Sequence, residues 1–159
     1  MAVWLVVLQW LHVFCGIFWF GASLYAYFIL FPAVATLAPE KQVELTAPVG
    51  ERTGKVIGGV AFGAVVLGIV RGTVFGPVRS LDYLIGSAYG ITWLVSLVLG
   101  VGLMTFGAAV LGPLAKSMGP DVSAEVRAAN AAKLKRLASI ELLGFVAIFT
   151  CMILMRFGY

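Results

Sequence analysis

Charged residues are scarce in this chain of 159 residues: only 11% are Asp, Glu, Lys or Arg, whereas 62% are hydrophobic. A soluble domain is typically about half apolar and roughly a quarter charged. A chain of this size also leaves much of itself at the surface, so a water-soluble fold could not hide the excess of apolar side chains. The composition therefore excludes an ordinary soluble domain and predicts one domain in a lipid bilayer.

Histidine and cysteine are also rare. The chain has one histidine, His12, and two cysteines, Cys15 and Cys151, which both lie in apolar runs. This pattern argues against a disulfide framework and against a zinc signature. The sequence contains no hydrolytic triad and no phosphate-binding loop, so it gives no sign of catalytic machinery.

Four apolar runs are long enough to cross a membrane as α-helices, since about 20 residues span the ~30 Å hydrocarbon core. They cover about residues 2–31, 56–75, 88–114 and 138–157. The first run has no basic segment before it and is about twice as long as the apolar core of a signal peptide, so we expect it to be retained. The sequence predicts an all-α fold: an integral membrane four-helix bundle, multi-pass in the cell membrane.

The first connection is predicted to be a loop. Residues 38–55 are polar and contain Pro39 and Pro48, which leaves room for about one helical turn at most. Pro32 marks a kink or the end of the first helix.

The third connection has a different character. Gly119 and Pro120 predict a break, and residues 121–137 contain neither glycine nor proline and are rich in alanine. We therefore expect residues 121–137 to form a cytoplasmic helical extension that runs directly into the fourth span.

Glycines recur at helical spacing along the second run, at Gly54, Gly58, Gly59, Gly63, Gly68, Gly72 and Gly76. Such spacing lines a helix face with small residues, so a neighbouring helix can approach closely.

Basic residues are distributed unevenly between the connections. Eight of the 11 lie in the first and third connections: Lys41, Arg52, Lys55, Lys116, Arg127, Lys133, Lys135 and Arg136. This bias places those connections in the cytoplasm and both termini on the outer side. The aromatic residues Trp4, Tyr83, Tyr89 and Tyr159 fall at the outer ends, as in an interfacial belt. The net charge of +4 is therefore a topology signal, and we expect no nucleic-acid partner.

The most informative polar residue inside the spans is His12. It lies ~15 Å along its helix, with Gln9 three residues before it and Gly16 four residues after it on the same face. A neutral imidazole at this depth could ligate haem iron or copper, or relay a proton. It could equally form a hydrogen bond across a helix interface.

Two further ionisable groups lie in the spans. Arg71 could hold a carboxylate such as a haem propionate, reach lipid headgroups, or pair with Asp82. Glu141 lies near the cytoplasmic face, where a basic neighbour or water could satisfy it, and it could transfer protons.

Sulfur atoms give one further alternative. Cys15 follows His12 by three residues, and Met155 follows Cys151 by four. Thiolate, thioether and imidazole groups suit Cu(I), although cysteine and methionine are also ordinary packing residues.

The run LHVFCGIFWFGASLYAYFILFPAVATL resembles the opening of CopD-like four-helix membrane proteins, on the residues Leu11, His12, Gly16, Trp19, Gly21 and Pro32. This group includes copper-resistance D domains and, more distantly, the membrane protoporphyrinogen oxidase. The later run SAYGITWLVSLVLG resembles the third helix of the group. The resemblance implies that His12 matches a histidine proposed to bind haem or metal. Some relatives have a lysine where this chain has Ser96, a weaker ligand at nearly the same depth as His12.

We therefore expect a CopD-like membrane protein that binds haem b or copper through His12 for redox or metal handling. Gln9, Arg71 and Ser96 are the further candidates for cofactor binding. With one histidine, a bis-histidine haem requires a symmetric dimer, so the expected partners are the bilayer and a second copy or other membrane subunits. The alternative is a non-catalytic accessory subunit of a larger complex. A solute transporter fits less well, because the spans have few polar residues and the sequence shows no internal repeat.

Overall fold

The computed structural model describes residues 3–118 and 122–159. Gly119, Pro120 and Asp121, where the sequence predicts a break and the start of the extension, lie outside the described residues. Within the described ranges the chain is helical and has no strand. The helices are α1 (Val3–Ala35), α2 (Pro39–Thr73), α3 (Leu81–Gly86), α4 (Ala88–Lys116) and α5 (Ala124–Arg156). All except the short α3 are long and apolar enough to cross a bilayer, which supports a multi-pass membrane protein.

The four long helices form a closed ring in the order α1, α2, α4, α5. One contact from each interface shows the order: His12 with Ala64, Gly72 with Trp93, Leu103 with Gly144, and Phe145 with Trp19. Every neighbouring pair runs antiparallel. The chain termini therefore lie at one end of the bundle (the terminal end), and the α1–α2 and α4–α5 connections lie at the other (the loop end).

A cluster of buried side chains in the middle of the bundle forms what we call the core layer, made by Trp19, Ala61, Ala64, Leu103 and Phe145. Trp19 and Phe145 meet edge to face, with ring centroids 4.9 Å apart. Most other large apolar side chains on the long helices point outward, as expected where lipid tails replace water as the surrounding medium. The interior is therefore small.

Serine side chains begin three of the helices. Ser80, Ser87 and Ser123 accept hydrogen bonds from the backbone N–H groups of Tyr83, Gly90 and Val126, respectively. These bonds satisfy N–H groups that have no acceptor within the helix. The starts of α3, α4 and α5 are thus specified locally.

The expectation of a loop at residues 38–55 is wrong, because α2 begins at Pro39 and continues without a break to Thr73. Pro39 lies in the first turn, where its missing N–H has no helical acceptor to lose. Pro48 lies inside the helix on an exposed position, so its ring meets solvent rather than a neighbouring helix. An ion pair of 2.7 Å between Glu51 and Lys55, one turn apart, adds a small stabilisation.

Helices α1 and α4 each contain a π turn just before a proline, and each helix continues beyond that proline. In α1 the turn spans Ala26–Leu30 and Pro32 lies two positions after its last residue; in α4 it spans Gly107–Leu111 and Pro113 lies at the same spacing. Proline has no N–H and its ring clashes with the carbonyl four residues earlier, so a locally wider turn accommodates it. The first helix of each helical hairpin therefore has the same backbone irregularity.

A single helix covers both the expected extension and the expected fourth span. α5 runs without interruption from Ala124 to Arg156. Its first turns have few large apolar side chains, and its later turns supply Phe145 to the core layer.

Candidate functional site

Three of the four site residues predicted from the sequence come together in the terminal half of the bundle. Gln9 and His12 lie one turn apart on α1, and both contact α2, where Arg71 lies. Ser96 lies on α4, and its hydroxyl donates a hydrogen bond of 2.8 Å to the carbonyl of Trp93 in its own helix. Among the described residues no hydrogen bond joins Ser96 to the other three.

The imidazole of His12 is held by the backbone of α2. Its Nδ1 lies 2.9 Å from the carbonyl oxygen of Ala64. A carbonyl oxygen can only accept, so Nδ1 carries the hydrogen and Nε2 keeps the lone pair. This is the tautomer in which histidine serves as a ligand through Nε2, and a backbone carbonyl is a common partner of the opposite nitrogen in metal sites.

Two glycines of α2 make room for the α1 side chains. A Cβ at Gly68 would lie 3.0 Å from His12 Cε1 and 3.5 Å from Nδ1, which is closer than the ring tolerates without moving. A Cβ at Gly63 would lie 3.5 Å from the Sγ of Cys15, an ordinary van der Waals distance. The imidazole therefore packs directly on the α2 backbone at Gly68, as the glycine spacing of this helix predicts.

Arg71 is fixed by two acceptors. Its Nε donates to Oε1 of Gln9 at 3.0 Å, and its Nη1 donates to the carbonyl of Phe75 at 3.1 Å. The ion pairs found among the described residues are both on α2 and involve neither Arg71 nor Asp82. The contact with Gln9 links the two polar residues across the α1–α2 interface and aims the guanidinium along it.

Beside this contact lies an open groove of about 490 Å³ between α1 and α2. We call it the α1–α2 groove; its lining residues are Leu5, Val6, Gln9, Trp10, Val13, Arg71 and Phe75. Five of these side chains are apolar or aromatic, and Gln9 and Arg71 supply its polar groups. The α1–α2 groove therefore offers an apolar surface with one cation, in the part of the bundle that contains His12.

Two aromatic residues of α4 complete this region, and the sequence analysis did not single them out as site residues. The indole of Trp93 packs on Gly72, the residue next to Arg71. Tyr89, one turn earlier, is close enough to Arg71 for the two side chains to interact electrostatically. Their spacing of four residues opposite a glycine of α2 is the signal that could have identified them.

The donor set for a bare metal ion is small. No group of three or more His, Cys, Asp or Glu side chains comes together within residues 3–118 and 122–159. Cys15 lies one turn from His12 and faces Gly63, whereas Cys151 lies on α5. The described side chains therefore do not form a multidentate metal site around His12.

Glu141, which the sequence analysis placed near the cytoplasmic face, is buried inside the bundle. Its exposed fraction is 9%, and it is the one charged side chain that is buried in the described part of the chain. It lies between α1 and α4 in the loop half of the bundle, close enough to Ser23 for the two side chains to interact. The core layer separates it from His12.

Comparisons of the chain with protein-family models, with curated proteins and with solved structures give no match. The resemblance of residues 11–37 to CopD-like proteins thus depends on the short motifs quoted above.

Proposed function

We propose that this chain is a CopD-like membrane protein that binds haem b, with His12 as an axial ligand of the iron. The observation that carries the proposal is the hydrogen bond from His12 Nδ1 to the Ala64 carbonyl. It fixes the ring orientation and leaves the Nε2 lone pair available, as in histidines that ligate metals. When bound, haem would supply one-electron redox chemistry at its iron.

Arg71 is the proposed anchor for a haem propionate. Two of the five guanidinium N–H groups are taken by Gln9 and the Phe75 carbonyl, which sets the plane of the group while other N–H groups remain for a carboxylate. Gln9 acts through Arg71 as a positioning residue. The apolar side chains of the α1–α2 groove provide a surface that suits a hydrophobic macrocycle. Ser96 has no part in this arrangement, since its hydroxyl bonds its own helix.

One histidine per chain gives one axial imidazole. A six-coordinate haem would need a second imidazole from a symmetric copy, so the proposed partner is a second copy of this chain.

The alternative function, an accessory subunit packed against other membrane helices, is favoured by a different observation. A Cβ at Gly16, Gly21, Gly58 or Gly59 would meet no atom within 4 Å, so these positions leave room for a closely packed helix.

The proposed orientation puts both termini on the outer side of the cell membrane. It is supported by the eight Lys and Arg residues of the first and third connections, which the antiparallel ring collects at the loop end. A cysteine introduced at Ser123 should react with a membrane-impermeant maleimide only after the cytoplasmic side is exposed. If Ser123→Cys were labelled in intact cells, the proposed orientation would be wrong and both termini would lie in the cytoplasm.

The test of the haem proposal is an absorption spectrum. The chain is produced with haem precursor, purified in mild detergent and compared with its His12→Gly and Cys15→Ser variants. We expect a Soret band in the original chain and in Cys15→Ser, loss of the band in His12→Gly, and its recovery when free imidazole is added. Arg71→Gln should lower haem affinity by about tenfold or more without abolishing the band.

Two outcomes would contradict the proposal. A colourless preparation, or a Soret band that persists in His12→Gly, would remove His12 as the iron ligand. Metal analysis of the same samples addresses copper: stoichiometric copper that is lost in both His12→Gly and Cys15→Ser would favour a copper site on these two residues. Recovery of other membrane subunits with a colourless chain would favour the accessory role.

A further inference from the structure

The loop half of the bundle contains an acidic group that the haem proposal does not use. Glu141 on α5 is 9% exposed and faces the interior of the ring. Ser23 on α1 is close enough for its hydroxyl to interact with the carboxyl. On the α4 side, a Cβ at Gly107 would lie 3.8 Å from Oε1 of Glu141, so the carboxyl packs against the α4 backbone where the π turn begins. Three helices therefore enclose this one side chain.

Within residues 3–118 and 122–159 no basic group forms an ion pair with the Glu141 carboxyl. On α1 the nearest titratable side chains toward the loop end are Tyr25 and Tyr27; on α4 it is Lys116; on α5 they are Lys135 and Arg136. The ion pairs formed within the described residues join other side chains, Lys41 with Glu44 and Lys55 with Glu51. A serine hydroxyl is thus the group that the fold supplies to this acid.

An ionised carboxylate in such a place is strongly disfavoured. Removing a charge from water into apolar surroundings is expensive unless a counter-charge and several hydrogen bonds replace the water. The neutral acid needs far less, because its O–H can donate to an oxygen such as that of Ser23. The geometry therefore favours a carboxyl group that holds a proton.

Hydroxyl-bearing side chains of α1 and α5 lie on the side of Glu141 that faces the loop end. Ser23 is followed one turn along α1 by Tyr27, whose hydroxyl lies 2.9 Å from Oγ of Ser139 on α5. Ser139 also lies 3.0 Å from the carbonyl oxygen of Lys135 and donates its single hydrogen there. Tyr27 must then be the donor in its bond to Ser139. Both residues line an open groove of about 350 Å³ between α1 and α5.

We propose that Glu141 is a proton-binding site inside the bundle, which exchanges its proton with the loop end along the side lined by Ser23, Tyr27 and Ser139. The ligand is a proton, and the site is independent of haem. The apolar layer of Trp19 and Phe145 closes the route toward the terminal end.

Infrared spectroscopy of the full chain in lipid tests the proposal directly. A protonated carboxyl has a C=O stretching band that an ionised carboxylate lacks. At neutral pH we expect this band in the original chain, its loss in Glu141→Gln, and its retention in Glu125→Gln, which alters an exposed carboxyl at the start of the same helix. Transfer to D₂O should shift the band as the proton exchanges, and Tyr27→Phe should slow that shift several-fold.

An absent band at neutral pH, or a band that survives in Glu141→Gln, would overturn the proposal. If Tyr27→Phe left the rate of proton exchange unchanged, the proposed route along Tyr27 would be wrong. A measurement on the original chain covers the case in which Glu141→Gln does not fold. Dicyclohexylcarbodiimide, an apolar reagent that adds to protonated carboxyl groups, should attach to Glu141, as mapped by mass spectrometry. Attachment to other carboxyl groups alone would count against the site.

Discussion

The indole of Trp93 on α4 covers the backbone of Gly72 on α2, and any side chain at position 72 would overlap the ring. Trp93 is buried at 9% exposure, so the ring has little space into which it can retreat. The α2–α4 interface therefore depends on the absence of a side chain at Gly72. This contact lies next to Arg71 and so also bounds the proposed haem region.

Gly72→Ala should destabilise the bundle by about 1–3 kcal/mol, because the added methyl forces Trp93 or a helix to move. Gly59→Ala is the matched control, since a Cβ there meets nothing within 4 Å. Alanine at 59 should leave stability unchanged or raise it slightly through helix propensity. Unfolding of the two variants in mixed micelles with increasing dodecyl sulfate measures the difference. Equal stability of the two would show that α2 and α4 do not approach as described.

Gly68→Ala should impair the proposed haem site without unfolding the chain. The added Cβ would lie 3.0 Å from Cε1 of His12 and would push the ring away from the Ala64 carbonyl. Loss of the partner that orients a metal-ligating histidine lowers affinity by about 10–100-fold. Haem titration of the purified chain measures this change.

Gly63→Ala provides the comparison for that titration, because its Cβ would stand 3.5 Å from the Sγ of Cys15 and leave the ring in place. Haem affinity should stay within a few-fold of that of the original chain. A similar loss in both variants would indicate a general effect of α2 packing rather than an effect on His12.

The hydrogen bond between Tyr27 and Ser139 should contribute a modest coupling energy. Tyr27→Phe removes the donor but leaves the bond from Ser139 to the Lys135 carbonyl. Hydrogen bonds between membrane helices contribute about 0.6 kcal/mol on average in double-mutant cycles. A cycle of Tyr27→Phe and Ser139→Ala, followed by unfolding in mixed micelles, should give a coupling near that value. A coupling of zero would mean that α1 and α5 are not joined at this point.

Pro48→Ala should stabilise the loop end of α2. Pro48 lies inside the helix and cannot donate to the carbonyl four residues earlier, that of Glu44. Alanine restores the donor at an exposed position, where the gain is about 1–3 kcal/mol locally. Amide hydrogen exchange of residues 39–55 should slow in the variant. Unchanged exchange would argue that these residues are not helical around position 48.

The number of long helices could be predicted because apolar length alone requires a bilayer. The helical conformation of residues 39–55 could not, since Pro48 and the polar composition are typical of loops in a single sequence. It depends on the first-turn position of Pro39 and on pairs such as Glu51 with Lys55, which matter only once the helix exists. The π turns could not be predicted from the sequence either. Pro32 and Pro113 signal an interruption, but the sequence does not say whether the helix ends or widens.

The candidate site was predictable in part. Helical spacing placed Gln9 and His12 on one face, and α2 does contact that face. The partner of each residue was not predictable, because it depends on which helices are neighbours and at what height. The sequence left three partners open for Arg71, namely a ligand carboxylate, lipid headgroups and Asp82. In the structure its guanidinium donates to Gln9 instead. Ser96 has nearly the depth of His12 on its own helix, but depth does not specify direction, and its hydroxyl bonds the Trp93 carbonyl.

The apolar layer that contains the edge-to-face pair of Trp19 and Phe145 has an electrostatic consequence. His12 and the α1 residue beside Glu141, Ser23, are eleven positions apart, or ~16 Å along the axis. Between them lies a layer of apolar side chains, which screens charge poorly and gives ions no polar path across it. An electron entering near His12 and a proton entering near Glu141 would therefore each be exchanged with the compartment on its own side. A charge at one level would still be felt at the other, so the two exchanges would be coupled electrostatically without any movement of the helices.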